Sequence, residues 1–225
     1  MKLIVLGLNH RSAPVNVREV FSFDKTEISE AINHVYEHEQ VAECVLLSTC
    51  NRTELYAVLE DVENPKEFML HLLQHLKGVE DMTIEDDWFF MYEGRDLLAH
   101  LFNVASSLDS LVLGEGQILS QLKMAYISAY SRGLTGPIFN IIFQRAISVG
   151  KKVRTVTGIA NTPVSVSYAA VNLAEDCLTK PMSEAKVLVL GAGEMSELTA
   201  THLQSKGVKS IFCLLYTSDA ADDLI

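Results

Sequence analysis

Two apolar runs joined by a short polar tip constrain this chain more than any other feature. Val45–Leu47 reads as a buried strand and Leu55–Leu59 as its return, with Ser48-Thr-Cys-Asn-Arg-Thr-Glu54 between them. The chain therefore contains a sheet, and the tip presents Cys50 two residues from Arg52, among hydroxyl and amide groups. Two readings of that thiol stand at this point. One is a buried, inert cysteine followed by a solvated turn, since most cysteines behave as small hydrophobes. The other is a thiol whose ionised, nucleophilic form is favoured by the neighbouring positive charge.

The flanking segments predict an α/β fold. Lys2–Leu8 is a continuous apolar run that opens into a loop, Asn9-His-Arg-Ser-Ala-Pro14, in which Pro14 disfavours helix for the residue before it. Asp24 and Glu27 form a capping box for a helix to about His38, with Ile28, Ala31, Ile32 and Val35 on one face. Asn64 as cap and Pro65 in the first turn start a second helix through Phe68, Leu72, Leu73 and Leu76. The order βαββα over residues 1–80 implies a small α/β sandwich with helices covering one face of the sheet. Residues 80–87 are acidic and read as a solvated segment.

From Arg95 to 157 the pattern is helical. Leu97, Leu98, Leu101, Phe102 and Ala105 form one face, with His100 near its border, where a lone histidine has an ordinary structural reading. Gly114–Gln117 breaks the pattern, Ile118 restarts it to about Arg132, and Gly133–Pro137 is a turn. The next helix runs to about Val156 with Ile138, Ile141, Ile142, Val149 and Val153 inward, and with Arg145 and Lys152 sharing a face. Thr162-Pro-Val164 then starts a helix that ends near Cys177, making 158–184 a linker.

Length allows one large domain or two small ones. The net charge of −11 is unevenly spread. Residues 1–115 hold eight bases against 21 acids and residues 175–225 hold four against eight, whereas residues 116–174 hold six bases and no acid. That zone is either a surface for a polyanion or a helical pair whose acidic complement lies on neighbouring segments. No run reaches the roughly 18 apolar residues of a membrane helix, and the N-terminus turns polar too soon for a signal peptide. The four cysteines lack metal-type spacing and no metal site is expected. Reduced thiols in a cytoplasmic protein are the expectation.

A second motif follows the linker. Ala185-Lys-Val-Leu-Val-Leu190 reads as a buried strand leading into Gly191-Ala-Gly193-Glu-Met-Ser196 and a helix with Leu198, Ala200 and Leu203. Strand, Gly-x-Gly turn and helix open a dinucleotide-binding (Rossmann-type) fold, in which the glycines admit a pyrophosphate at the helix N-terminus. Ser196 stands where the third glycine of that fingerprint would be. Val208–Phe212 would be the next strand, so residues 185–213 make an incomplete unit.

A candidate thiol nucleophile upstream of a nicotinamide-type fold fits acyl reduction through a thioester. Gly7-Leu-Asn-His-Arg-Ser-Ala-Pro14, Ser48–Glu54, Leu108-Asp-Ser-Leu-Val-Leu-Gly-Glu-Gly-Gln117 and Gly191-Ala-Gly-Glu-Met195 resemble glutamyl-tRNA reductase, in the family's order. The resemblance implies an NADPH-dependent enzyme that converts glutamyl-tRNA(Glu) to glutamate-1-semialdehyde, the first step of tetrapyrrole synthesis. It implies Cys50 as nucleophile and His100 as a residue important for activity. Arg52 would hold the substrate's side-chain carboxylate, with Thr49 and Asn51 completing the pocket. Ser110, Glu115, Gly116, Gln117 and Gln121 match the family's substrate-contacting positions, and Gly191, Ala192, Gly193, Glu194, Met195 and Ser196 would hold the cofactor phosphates. It also implies a homodimer through a C-terminal domain that does not follow here, and hand-off of the product to glutamate-1-semialdehyde aminomutase. Residues 214–225 do not match the family and read as a foreign or frameshifted, non-native tail on a truncated chain. Such a chain would either reduce the thioester, only form and hydrolyse it, or serve as a tRNA-binding module.

Overall fold

The apolar runs form strands that extend into the polar residues beside them. In the structure, a computed structural model that describes residues 1–160 and 166–214, β1 (Lys2–Asn9), β2 (Val41–Thr49) and β3 (Arg52–Leu59) pair with a short β4 (Phe90–Glu93). They make an antiparallel sheet in the order β2-β3-β1-β4. Thr49 pairs with Arg52, so the turn is only Cys50 and Asn51. Arg52, Thr53 and Glu54, expected in a solvated tip, are strand residues, and all three are buried.

Both faces of this sheet are covered, not one: every residue of β3 is buried. Alternation along the strands assigns the faces. Cys44 turns its thiol to Ile32 O of α2 (Lys25–Tyr36), whereas its neighbour Glu43 turns the opposite way and accepts from Ile138 N at 3.0 Å and Phe139 N at 2.7 Å. Those amides open α6 (Pro137–Val156), whose own N-cap, Gly136, has no side chain to offer. A strand carboxylate thus caps that helix and meets the positive end of its dipole. Tyr56, on the Glu43 face, packs edge-on against Phe143 at 5.3 Å. The helical segment after Arg95 is what covers this second face.

Local signals account for most of the helices. The Asp24–Glu27 capping box forms, with Asp24 Oδ1 accepting from Thr26 N and Glu27 N, and Glu27 Oε2 accepting from Asp24 N. A six-residue α1 (Val15–Val20) follows Pro14, where only loop was expected; Pro14 has a φ of −67°, ready for a helix start. In α3 (Pro65–Lys77), Asn64 does not cap; its amide donates to Glu67 Oε2 instead.

The helix α4 (Arg95–Ala105) ends well before Gly114, because Ser107 adopts a φ of +60° that a helix cannot continue through. A loop over 106–116 leads to α5 (Gln117–Ser131). On α6 the inward face is Phe139, Phe143, Ala146, Ile147 and Gly150, while Ile141 and Val149 are exposed and Ile138, Ile142 and Val153 are half-buried. The aromatic bulk of Phe139 and Phe143, both fully buried, takes the inward positions in place of the isoleucine stripe. Gly150 lets α6 approach α4 closely: a Cβ there would lie 2.3 Å from Ala105 O.

The chain divides into two units, Met1–Ala160 and Asn161–Ile225. The segment read as a linker is split: Gly158–Ala160 closes the first unit as a 3₁₀ turn, and α7 (Val166–Cys177) belongs to the second. There Val171 of α7 shares a small core with Met182, Leu203 and Val208. The strands β5 (Lys186–Leu190) and β6 (Ser210–Leu214) are parallel, joined through α8 (Glu194–Ser205) in the strand–helix–strand order of a Rossmann-type unit. The β5 run, expected to be buried, is half-buried on one face and exposed on the other. Val187, Val189 and Ile211 meet the core, and Leu188, Leu190, Phe212 and Leu214 are exposed. The expected helix start at Thr162–Val164 and residues 215–225 of the expected tail lie outside the described residues, while the tail's first residue, Leu214, ends β6. Among the described residues, no helix is long and apolar enough to cross a membrane, and no three His, Cys, Asp or Glu side chains gather as a metal site.

Candidate active site

Cys50 stands exposed at the two-residue turn between β2 and β3. Thr49 Oγ1 accepts from Asn51 N and Arg52 N, both at 3.2 Å, which holds the turn's shape. The guanidinium that touches the tip is not that of Arg52. Arg18, on α1, donates from Nη1 to Cys50 O and to Asn51 Oδ1, both at 3.1 Å. The loop after β1 ties in as well, through His10 N donating to Asn51 O at 3.0 Å. That loop is shaped by Asn9, whose Oδ1 accepts from Arg11 N and Ser12 N in an Asx turn.

Below the tip, the side chains at 52, 54 and 56 share one face of β3 and build a buried ionic cluster. Arg52 Nη1 lies 2.6 Å from Glu54 Oε1, Tyr56 OH donates to Glu54 Oε2 at 2.6 Å, and His100 Nε2 lies 3.0 Å from Glu54 Oε1. Glu54 has no exposed surface. Burial alone would raise its carboxyl, but the Arg52 charge and the His100 and Tyr56 donors outweigh burial and hold it down at about 2. The same burial, with Glu54 beside it, pushes the Tyr56 phenol well up. Gly7, paired with Glu54 in the β1–β3 register, makes the room: a Cβ there would lie 2.8 Å from both Glu54 Cγ and Thr53 O.

Arg52 is 2% exposed and also contacts Asp109, through Oδ2 at 3.1 Å and through the backbone carbonyl. Asp109 Oδ1 meets Arg11 Nη1 at 3.0 Å, so this carboxylate bridges two arginines. Burial, and then the Arg52 and Arg11 charges, hold His10 below its ordinary pKa, and its Nδ1 is buried without a hydrogen-bond partner among the described residues. A cavity of about 610 Å³ opens here, lined by Asn9, Arg11, Tyr92, His100, Leu108 and Asp109 among others. The rings of Phe90 and Tyr92 each lie 5.1 Å from His100.

The structure thus brings Arg52 and His100 together through Glu54, and sets Thr49, Cys50 and Asn51 at the adjoining turn. Ser110 is buried beside Asp109. No hydrogen bond among the described residues joins Glu115, Gly116, Gln117 or Gln121 to the Cys50 turn. Glu115 O accepts from Ser107 Oγ, burial raises the Glu115 carboxyl, and Gly116 lies against Arg154. Reasoning from sequence missed Arg11, Arg18, Glu54, Tyr56 and Asp109 as site residues. The period-two spacing of Arg52, Glu54 and Tyr56 was the available signal for that cluster.

In the second unit, Gly191 ends β5 with a φ of +99°, and Gly193 is the N-cap of α8 with no side-chain cap. A Cβ on Gly193 would meet nothing within 4 Å, leaving open space in front of an uncapped helix N-terminus. That arrangement suits a phosphate group. Ser167 Oγ donates to Met195 O at 3.2 Å, and the Ser196 amide turns back onto Gly193 O.

Residues 6–157 match the family model for the N-terminal domain of glutamyl-tRNA(Glu) reductase, and residues 172–225 match that for shikimate/quinate 5-dehydrogenase. The chain is 44% identical over 211 residues to a glutamyl-tRNA reductase of Carboxydothermus hydrogenoformans, covering 94% of this chain and 46% of that protein. It is 42% identical over 224 residues to one from Solibacter usitatus, covering 53% of it. The solved glutamyl-tRNA reductase from Methanopyrus kandleri superposes with a TM-score of 0.62 at 35% identity, over 96% of this chain and 49% of that one. The chain spans about half the length of the curated relatives it matches. With an N-terminal domain match over most of its length and relatives of the same name recovered by sequence and by fold, the chain belongs to the glutamyl-tRNA reductase family.

Proposed function

We propose that the first unit loads glutamate from glutamyl-tRNA onto Cys50 as a thioester, the opening chemistry of semialdehyde formation for tetrapyrrole synthesis. The observation that carries this reading is the exposed Cys50 at a turn braced by Arg18, Thr49 and the His10 amide, adjoining the Arg52–Glu54–His100 cluster. The Cys50 sulfur attacks the glutamyl ester carbonyl. A carbon–sulfur bond forms, the carbon–oxygen bond to the tRNA ribose breaks, and the ribose oxygen takes up a proton. Arg52, with a fork suited to carboxylates, selects the glutamyl side chain. Asn51, oriented by Arg18, and Ser110 complete the pocket. Glu115, Gly116, Gln117 and Gln121 are substrate contacts of the same reading, and Glu54 orients His100.

The Gly191–Ser196 turn would hold the phosphates of NADPH, with the backbone amides at the start of α8 as donors and Gly193 leaving them room. When bound, that cofactor supplies the hydride that converts a thioester to an aldehyde. Supply of glutamyl-tRNA makes the cytoplasm the compartment of this chemistry. Homodimerisation and hand-off to the aminomutase belong to the whole protein's version of the reading.

A second reading, loading followed by hydrolysis, is favoured by the exposure of Cys50, which leaves a thioester there open to water. Incubation with glutamyl-tRNA labelled in glutamate, with and without NADPH, tests both. Label moving to protein, absent in Cys50→Ser, is the expected result; semialdehyde marks reduction and free glutamate marks hydrolysis. Label that stays on the tRNA contradicts both, as does label that persists on the Cys50→Ser protein.

A further inference from the structure

The geometry points to Asp109 as an internal counter-ion that the substrate's side-chain carboxylate must displace, making it a residue that sets specificity for an acidic side chain. This rests on the proposed role of Arg52. With 2% of its side chain exposed, Arg52 offers almost no open surface to a ligand carboxylate. Its Nη1 is shared between Glu54 and Asp109, and its Nη2 donates to Asp109 O. One of the two carboxylates has to leave before a substrate carboxylate can take the fork.

Glu54 is the one that stays, fully buried and bound by Arg52, His100 and Tyr56. Asp109 is the one that can move. It is 15% exposed, it lines the cavity, and it already holds a second arginine, Arg11, which is itself 61% exposed. Withdrawal from Arg52 therefore leaves Asp109 paired. The loop that carries it is closed at its neck by Ser107 Oγ donating to Glu115 O at 2.7 Å and Gly114 N donating to Ser107 O at 3.1 Å. Its tip is weakly anchored, with Leu108, Leu111 and Leu113 each about half exposed. Ser110 Oγ, buried beside Asp109, has no hydrogen-bond partner among the described residues, so a shift of the tip has a partner to gain.

Exchange of one carboxylate for another keeps the buried Arg52 guanidinium neutralised. A neutral side chain makes the exchange at a loss, because it replaces one of the two carboxylates on a buried cation with an uncharged group. Discrimination between glutamate and glutamine then comes from the competitor already in the site as much as from the arginine.

Isoglutamine, the α-amide of glutamate, has the free side-chain carboxylate and no ester for Cys50 to attack, and glutaminamide is its neutral control. Calorimetric titration into the chain and its variants is the test. Asp109→Asn removes the competing charge and is expected to tighten isoglutamine on the order of tenfold, the usual size of such couplings, without a matching gain for glutaminamide. Arg11→Gln, at an exposed position that leaves the core intact, removes the resting partner and is expected to weaken isoglutamine by a similar factor. Combining the two substitutions should restore tight binding. Weaker or unchanged binding in Asp109→Asn overturns the proposal. So does a double variant as weak as Arg11→Gln alone, or no isoglutamine binding by any of the proteins. A chain that forms the Cys50 thioester but shows no tightening loses only the counter-ion role; one that tightens but never loads loses only the loading reaction.

Discussion

Replacing Glu54 by glutamine keeps the shape of the buried cluster and removes its central charge. Glu54 Oε1 faces Arg52 at 2.6 Å and His100 at 3.0 Å, and Oε2 accepts from Tyr56 at 2.6 Å. These partners overcome the burial penalty and hold the carboxyl at about 2, against an ordinary value of 4.5. At about 1.4 kcal/mol per pH unit, that drop is worth about 3 kcal/mol of folding stability. The folded value lies below the unfolded one, so the contribution is complete above about pH 4.5 and is lost as the pH falls towards 2. Glu54→Gln is therefore expected to cost about 3 kcal/mol at pH 7, at the lower end of the roughly 3–5 kcal/mol for breaking a buried pair. Urea unfolding followed by Trp88, the chain's single tryptophan and a residue of the first unit, reads that unit alone. The gap between parent and variant should close between pH 4.5 and pH 2. A gap below about 1 kcal/mol at pH 7, or parallel pH profiles, would refute the reasoning.

Three further outcomes follow from the same geometry. Gly7→Ala drives a Cβ to 2.8 Å from Thr53 O and Glu54 Cγ and should cost about 1–3 kcal/mol in the same unfolding assay; unchanged stability contradicts the close approach. Burial pushes the Cys44 thiol up to about 12, so iodoacetamide at mildly alkaline pH should label Cys50, Cys177 and Cys213, and Cys44 only after unfolding. Early labelling of Cys44 would show that β2 is not packed as described. Arg145 and Lys152 are exposed on α6 without an acidic partner among the described residues. If they bind tRNA phosphates, neutralising both lowers the slope of log affinity against log salt by about 1.8, taking about 0.9 per contact. An unchanged slope removes that face from the tRNA surface.

The sheet and most helices were legible because their signals are local: unbroken apolar runs for β1 and β2, and a capping box for α2. The site was less so, for a physical reason. Arg52, Thr53 and Glu54 look like a solvated tip because pattern reading counts apolar residues, whereas here paired charges fill core positions on a strand. The face of α6 was misjudged because Ile138, Ile141, Ile142 and Val149 form a second apolar stripe, and only the aromatic bulk of Phe139 and Phe143 decides between the two. Helix α1 and strand β4 are too short to show a period. The thiol at 50 and the Gly191–Gly193 turn stood out because unusual residues at element ends are visible without knowing the fold. The Arg11–Asp109–Arg52 bridge joins three separated segments, and no spacing along the chain announces it.

In the proposed reaction Cys50, among the exposed thiols, receives the glutamyl group. Acid quenching after incubation with glutamyl-tRNA, followed by peptide mass mapping, locates the acyl group directly. One glutamyl adduct is expected, on the peptide containing Cys50, abolished by Cys50→Ser and released by hydroxylamine. An adduct on Cys177 or Cys213 instead, or a Cys50 peptide that stays unmodified while the tRNA is deacylated, would contradict it.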